Sequence, residues 1–147
     1  MQTTTTQTDA ELAARLRLAV MRLARRLRQQ SVPGPTPSML SALSTLERLG
    51  PLTHGELAGA EAVRPPSMTR IVGRLEEEGL VERHPDATDR RVGRLRLTSA
   101  GRELIRRNRR RKDAYLARGL SRLSAREVAA LATAASVIER LLDEEEG

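Results

Sequence analysis

Residues 64–79, RPPSMTRIVGRLEEEG, open on two prolines and close on a glycine, with apolar side chains at helical spacing between them. Proline fits a first helical turn, where a missing N–H is harmless, and glycine fits the position just past a helix end. Met68, Ile71, Val72 and Leu75 share one face at i, i+3, i+4 and i+7. Pro66, Ser67, Thr69, Arg70, Gly73 and Arg74 fall on the other, so the outward side of the early turns is small, polar or basic. Directly afterwards, LVERH (80–84) and RLRLT (94–98) predict two strands, the second alternating Arg94 and Arg96 with Leu95 and Leu97. The nine residues between them, PDATDRRVG, are more than a tight hairpin needs, and their basic end points to a working loop.

Helices are expected on both sides of this unit. Thr8 and Glu11 have capping-box spacing ahead of Leu12, Leu16, Val20, Leu23 and Leu27, which predicts a first helix ending near Gln30. SVPGPTP (31–37) cannot continue it, because its three prolines lack donors and fix φ. Thr36 then caps a second helix with Pro37 in its first turn and a buried stripe of Leu40, Leu43, Leu46 and Leu49, stopped by Gly50 and Pro51. Thr53 and Glu56 repeat the capping-box spacing and start a short third helix ending at 59–61. Beyond the strands, Thr98 or Ser99 caps a long helix to about Gly119, and Ser124 with Glu127 forms a third capping box. The last helix carries a packing seam of Val128, Leu131, Ala135, Ile138 and Leu142 and ends in the acidic DEEEG.

At 147 residues, without repeats, the chain is one domain's worth, and its core must be aliphatic, since Phe and Trp are absent and Tyr115 is the sole aromatic. The Thr/Gln-rich residues 1–7 have nothing to bury and are expected to be a disordered tail. No stretch approaches the roughly 18 apolar residues of a membrane span, and the N-terminus lacks the parts of a secretory signal, so a cytoplasmic location is expected. Without cysteine there are no disulfides, no thiolate chemistry and few routes to structural zinc.

Charge is distributed unevenly. Residues 62–112 hold 15 basic against 7 acidic side chains, and the remainder 11 against 12, so the whole excess lies in one third of the chain. Such a localised positive field suits a polyanion. Two short helices, the second with an exposed polar N-terminal face, followed by a hairpin with a basic loop, form a winged helix-turn-helix layout. The major groove of B-DNA admits one α-helix, side chains from its early turns read base edges, and phosphates favour its positive dipole end. In that setting Arg70 and Arg74 can donate to guanine edges or phosphates, Ser67 and Thr69 to phosphates or bases, and Gly73 lets backbone and duplex approach. Arg90 and Arg91 can lie along the phosphates or in a narrow minor groove, with Asp89 orienting an arginine. The run RRNRRRK (106–112) reads as a solvated helix face.

The order of elements, with SMTRIVGRLEEEGLVER and DATDRRVGRLRLTSAG, resembles the MarR family of bacterial transcription regulators over essentially the whole chain after Thr8. The wing pattern of Asp89, Arg90, Arg91, Leu97, Thr98 and Gly101 is the more specific part. The resemblance implies a mainly α fold with a small β-hairpin wing. It places the winged helix-turn-helix at about 36–98 within a domain of 8–147, with dimerisation helices at about 8–30 and 99–143. It also implies a homodimer on a pseudo-palindromic operator of double-stranded DNA, most often acting as a repressor, and a small aromatic or phenolic effector in a cleft that VPGP (32–35) would border. The apolar seams of the first and last helices independently require a partner surface.

Two other readings stay open at this level: a nonspecific architectural DNA-binding protein, or a winged-helix module that binds an acidic protein. Enzyme readings find no support. There is no Gly-rich phosphate loop, paired-histidine metal motif or nucleophile elbow, and His54 and His84 stand apart, so no cofactor or metal is expected.

Overall fold

A computed structural model of the chain describes residues 8–145, so the expected tail at 1–7 and the last two residues lie outside the described part. The elements are α1 (Asp9–Gln29), α2 (Pro37–Leu49), β1 (Leu52–Thr53), α3 (His54–Ala60), α4 (Pro65–Glu77), β2 (Val81–Pro85), β3 (Gly93–Leu97), α5 (Ser99–Leu120) and α6 (Ala125–Glu145). The described residues fall into two compact units, divided between Lys112 and Asp113, inside α5.

The helix starts follow local hydrogen-bond chemistry. At α1 the Thr8 hydroxyl accepts from the Glu11 N–H at 3.2 Å while the Glu11 carboxylate accepts from the Thr8 N–H at 2.9 Å. Ser124 and Glu127 do the same for α6, at 3.1 and 2.8 Å. The box expected at α3 forms only by half. Thr53 Oγ1 accepts from the Glu56 N–H at 3.1 Å, but the Glu56 carboxylate lies 3.5 Å from Arg94 on β3 and does not close the box.

The core of the first unit is aliphatic, as composition requires. Met39, Leu43 and Leu46 from α2, Leu57 from α3, Met68, Val72 and Leu75 from α4, Leu95 and Leu97 from β3 and Ile105 from α5 are all buried. Each such side chain stabilises the fold by about 2 kcal/mol relative to exposure. Leu49 departs from expectation: as the last residue of α2 it is 51% exposed.

The sheet has three antiparallel strands in the order β1-β3-β2, where two were expected. β1 is only two residues long, pairing Leu52 with Leu95 and Thr53 with Arg94, and two residues carry no alternation to detect. The hairpin pairs Val81 with Leu97 through to Pro85 with Gly93, so the wing loop is residues 86–92, shorter than the expected nine because its two ends join the ladder.

The junction of α4, β2 and α5 is tight. Gly79, at φ 69°, ends α4, and the Leu80 N–H returns to the Leu75 carbonyl at 2.9 Å. Thr98 is the cap of α5: its hydroxyl accepts from the Gly101 N–H at 3.1 Å and donates to the Gly79 carbonyl at 2.6 Å. Gly101 itself is buried, with no room for a side chain.

The run 106–112 is not merely a solvated face. Asn108 is buried, and its Oδ1 accepts from the Val32 N–H at 3.0 Å; Arg111 donates to the Gln30 carbonyl at 2.8 Å and Arg109 pairs with Glu47. These residues fasten the connection before α2 and the body of α2 to α5, an arrangement that a reading of local charge alone misses.

In the second unit, α6 contains no buried residue. Its seam positions Val128, Leu131 and Leu142 are exposed. α1 likewise has no buried residue, with Leu12, Leu16, Val20 and Leu23 all exposed.

Candidate nucleic-acid interface

Two of the four N–H groups that a helix start leaves without partners are missing at α4, because Pro65 and Pro66 occupy its first two positions. Arg64 precedes them in an extended conformation and makes no side-chain cap. The Met68 N–H already donates to the Arg64 carbonyl at 3.0 Å. The Arg64 and Ser67 N–H groups and the Ser67 hydroxyl are therefore the backbone and hydroxyl donors that this helix start leaves without a partner among the described residues.

Met68, Val72 and Leu75 hold the apolar face of α4 against the core, which turns the remaining face outward. Pro66, Thr69, Arg70 and Arg74 are exposed, and Ser67 and Gly73 half-buried. Ser67, Arg70 and Arg74 come together with Thr36 and Ser38, at the start of α2, around a cleft of about 310 Å³. Two side chains on this face have partners of their own. Arg74 lies 3.3 Å from Glu78, one turn on, and the Thr69 hydroxyl donates to the Pro65 carbonyl at 3.0 Å and sits 3.1 Å from His54 Nε2. His54, at the start of α3, thus touches the α4 face, a contact that its place in the sequence did not suggest. Around Gly73 an added Cβ would meet nothing within 4 Å, so packing does not require glycine there.

The wing loop is organised by a residue that the sequence reading overlooked. The Asp86 carboxylate accepts from the Thr88 N–H at 3.1 Å, the Thr88 hydroxyl at 2.6 Å, the Asp89 N–H at 3.0 Å and the Arg94 guanidinium. Thr88 first, then Arg94 and the two backbone donors, hold this carboxyl well below the usual carboxylate range. Its signal was available in PDAT, where an Asp followed two residues later by Thr favours a side-chain-closed turn. Next in the loop, Asp89 takes both Nε (3.1 Å) and Nη2 (3.3 Å) of Arg91, a fork that lowers the Asp89 pKa. Arg90 is exposed and makes no ion pair among the described residues, and the Arg91 side chain is 91% exposed despite its partner.

Arg94 and Arg96, basic in the sequence, are largely neutralised in the fold. Arg94 meets Asp86, Glu56 at 3.5 Å and the Pro51 carbonyl at 3.4 Å, and Asp86 raises its pKa. Arg96 pairs with Glu82 at 2.9 Å, and Glu82 is held low first by His84 and then by Arg96. On α4 and the hairpin, among the described residues, this leaves Arg64 and Arg70 near the start of α4 and Arg90 on the wing as the cations without an acidic partner.

Asp86 has a testable consequence. A carboxyl whose folded pKa is depressed stabilises the native state above its unfolded pKa of about 3.9 and loses that contribution as pH falls through the folded value. Asp86→Ala should therefore lower the thermal midpoint near neutral pH. The gap to the wild type should shrink steadily below about pH 4, as unfolding scans between pH 7 and 2 would record.

A second concavity of about 550 Å³ lies in the same unit, between the end of α1, the 31–37 connection, α2 and α5. VPGP borders it, with Ser41 and Ser44 on one wall and Arg28 and Lys112 as its charged groups. Among the described residues no group of three or more His, Asp or Glu is placed to hold a metal ion, and no helix is long and apolar enough to cross a membrane.

An α2–α3–α4 core, an outward first turn on α4 and a hairpin wing define a winged helix-turn-helix protein. The sequence profile of the MarR family matches residues 36–92. The HTH-type transcriptional regulator ML2140 of Mycobacterium leprae is 43% identical over 137 residues, which cover 92% of this chain and 96% of that protein. The solved structure of a transcriptional regulator from Pseudomonas aeruginosa PA01 superposes with a TM-score of 0.82 at 36% identity, over 93% of this chain and 97% of that one. The HTH-type transcriptional repressor MdtR of Bacillus subtilis is 38% identical over 68 residues, 46% of this chain and 44% of its own. The chain belongs to the MarR family and is a helix-turn-helix transcriptional regulator. Members of this family bind DNA and are not enzymes.

Proposed function

We propose that the protein acts in the cytoplasm as a homodimeric repressor that reads a pseudo-palindromic operator in double-stranded DNA and is released by a small effector. The observation that carries this reading is the gathering of Ser67, Arg70 and Arg74 on one outward cleft, on a helix whose opposite face is sealed in the core. In this account Arg70 and Arg74 donate to guanine edges or phosphates, the Ser67 N–H and hydroxyl take a phosphate, and Pro66 and Gly73 keep the helix surface low. Thr69 contributes its methyl group more readily than its hydroxyl, which is already engaged. On the wing, Asp89 holds Arg91 ready for the phosphates and Arg90 reaches the duplex directly.

The dimer reading rests on α1 and α6, which leave large apolar side chains exposed, Leu131 at 49% and Leu142 at 58%. A repressor needs only to occupy its site, and the similarity to MdtR favours that direction. The 550 Å³ cleft is of ligand size, and Arg28 and Lys112 suit an aromatic or phenolic anion. Such a ligand releases DNA only if it binds the DNA-incompetent arrangement more tightly.

Sequencing genomic fragments retained by the purified protein tests the reading. A shared site with two-fold symmetric halves about 10 bp apart is the expected result. Retention without any common site would point to an architectural protein.

Gly73 gives a separate check. Gly73→Ala should stabilise the fold by about 0.5–1 kcal/mol, since the position is mid-helix and open. It should nonetheless weaken operator binding, because the new methyl stands where the duplex approaches. Chemical denaturation and anisotropy on the same preparation would show whether the two effects have opposite signs.

A further inference from the structure

The second half of α1 carries Arg22, Arg25, Arg26 and Arg28 and no acid. Arg22, Arg25, Arg26 and Gln29 enclose a cleft of about 320 Å³. The end of α6 is the electrostatic opposite, with Glu139, Asp143, Glu144 and Glu145 against the single cation Arg140. Its last turn holds no basic residue, although acids at a helix C-terminus oppose the macrodipole and need a cation from elsewhere. Among the described residues no ion pair uses a side chain of α1 or α6. At about 100° per residue, Arg22 and Arg26 form a stripe beside the exposed apolar seam of α1. Glu139 and Asp143 form one beside the seam of α6. Both pairs are one turn apart, and all four residues are exposed.

We propose that Arg22 and Arg26 of α1 are the docking surface for Glu139 and Asp143 on α6 of a second copy of this chain. The ion pairs border the apolar contact and set its register, as charges flanking a coiled-coil seam do. They also make α6 prefer the α1 of its own kind over other amphipathic helices. This inference rests on the dimer reading above and adds the charge rule that specifies it.

The test is a mixing experiment with two full-length variants, R22E/R26E and E139R/D143R. Each alone brings like charges together and should dimerise about tenfold or more weakly than the wild type in sedimentation runs at low salt. Mixed, they restore opposite charges at both contacts of a heterodimer, which native mass spectrometry should find well above the random expectation of about half. Pairing of α1 with α6 inside one chain, or no pairing at all, gives random mixing or two undisturbed homodimers, and either result overturns the proposal. If a reversed chain misfolds by circular dichroism, the neutral variants R22Q/R26Q and E139Q/D143N replace it. Each should then flatten the salt dependence of wild-type dimerisation, and an unchanged dependence overturns the proposal. A wild type that stays monomeric defeats the dimer reading itself. A normal dimer of R22E/R26E that fails to bind DNA would assign these arginines to the duplex and refute only the docking rule.

Discussion

Gly101→Ala is expected to destabilise the fold by about 3 kcal/mol, roughly 6–12 °C in the thermal midpoint. A Cβ at this position would lie 2.2 Å from the Leu80 carbonyl oxygen and 3.1 Å from its carbon, far inside contact distance, and the obstacle is backbone that cannot rotate away. Relief would require α5 to back off the α4–β2 junction. That movement would stretch the Thr98 N–H bond to Leu80 O, now 3.1 Å, and the Thr98 hydroxyl bond to Gly79 O. The same junction sets where the hairpin leaves α4, so the variant should lose DNA affinity as well as stability. Denaturant unfolding of wild type and variant measures the first effect; a midpoint within about 2 °C of the wild type would mean the junction is looser than this packing implies.

Arg70→Ala carries the largest expected effect on recognition. Arg70 is exposed and has no acidic partner among the described residues, so no internal ion pair must break before it reaches DNA. Losing a base contact should cost about 1–3 kcal/mol on the operator while changing scrambled duplex much less, so the ratio between the two collapses. Arg91→Ala should behave differently. With Asp89 holding Arg91 toward the phosphates, as proposed above, removing Arg91 should weaken every sequence alike and reduce the salt slope by about one. Competition titrations with both duplexes separate the two behaviours.

The parts of this molecule that were legible in its sequence are those set by neighbours in the chain. Thr8 with Glu11, Thr36 with Pro37, Ser124 with Glu127 and the Pro65–Gly79 segment announce helix ends because their hydrogen bonds close within a few residues. The outward face of α4 followed directly from the spacing of Met68, Val72 and Leu75. What stayed hidden depends on contacts between distant residues. Glu56 looks like a capping acid until Arg94, 38 positions away, takes its carboxylate. Arg94 and Arg96 look like free cations until Asp86 and Glu82 face them across the hairpin. His54 looks like a helix-start residue until folding sets it beside Thr69, and Asn108 looks like one polar residue in a basic run until the 31–37 connection covers it. Net charge along the sequence therefore located the positive segment but overstated how many of its arginines remain available.

The most direct test of the central claim, that the outward first turns of α4 and the arginine-tipped wing together read duplex DNA, is fluorescence anisotropy of the full-length protein. A duplex recovered from genomic fragments and its scrambled counterpart would be titrated across a salt series. Log affinity should fall steeply and linearly with log salt for both, with the recovered duplex bound at least about a thousandfold more tightly near physiological salt. Equal affinity for the two duplexes at every salt concentration, or binding that does not respond to salt, would contradict it.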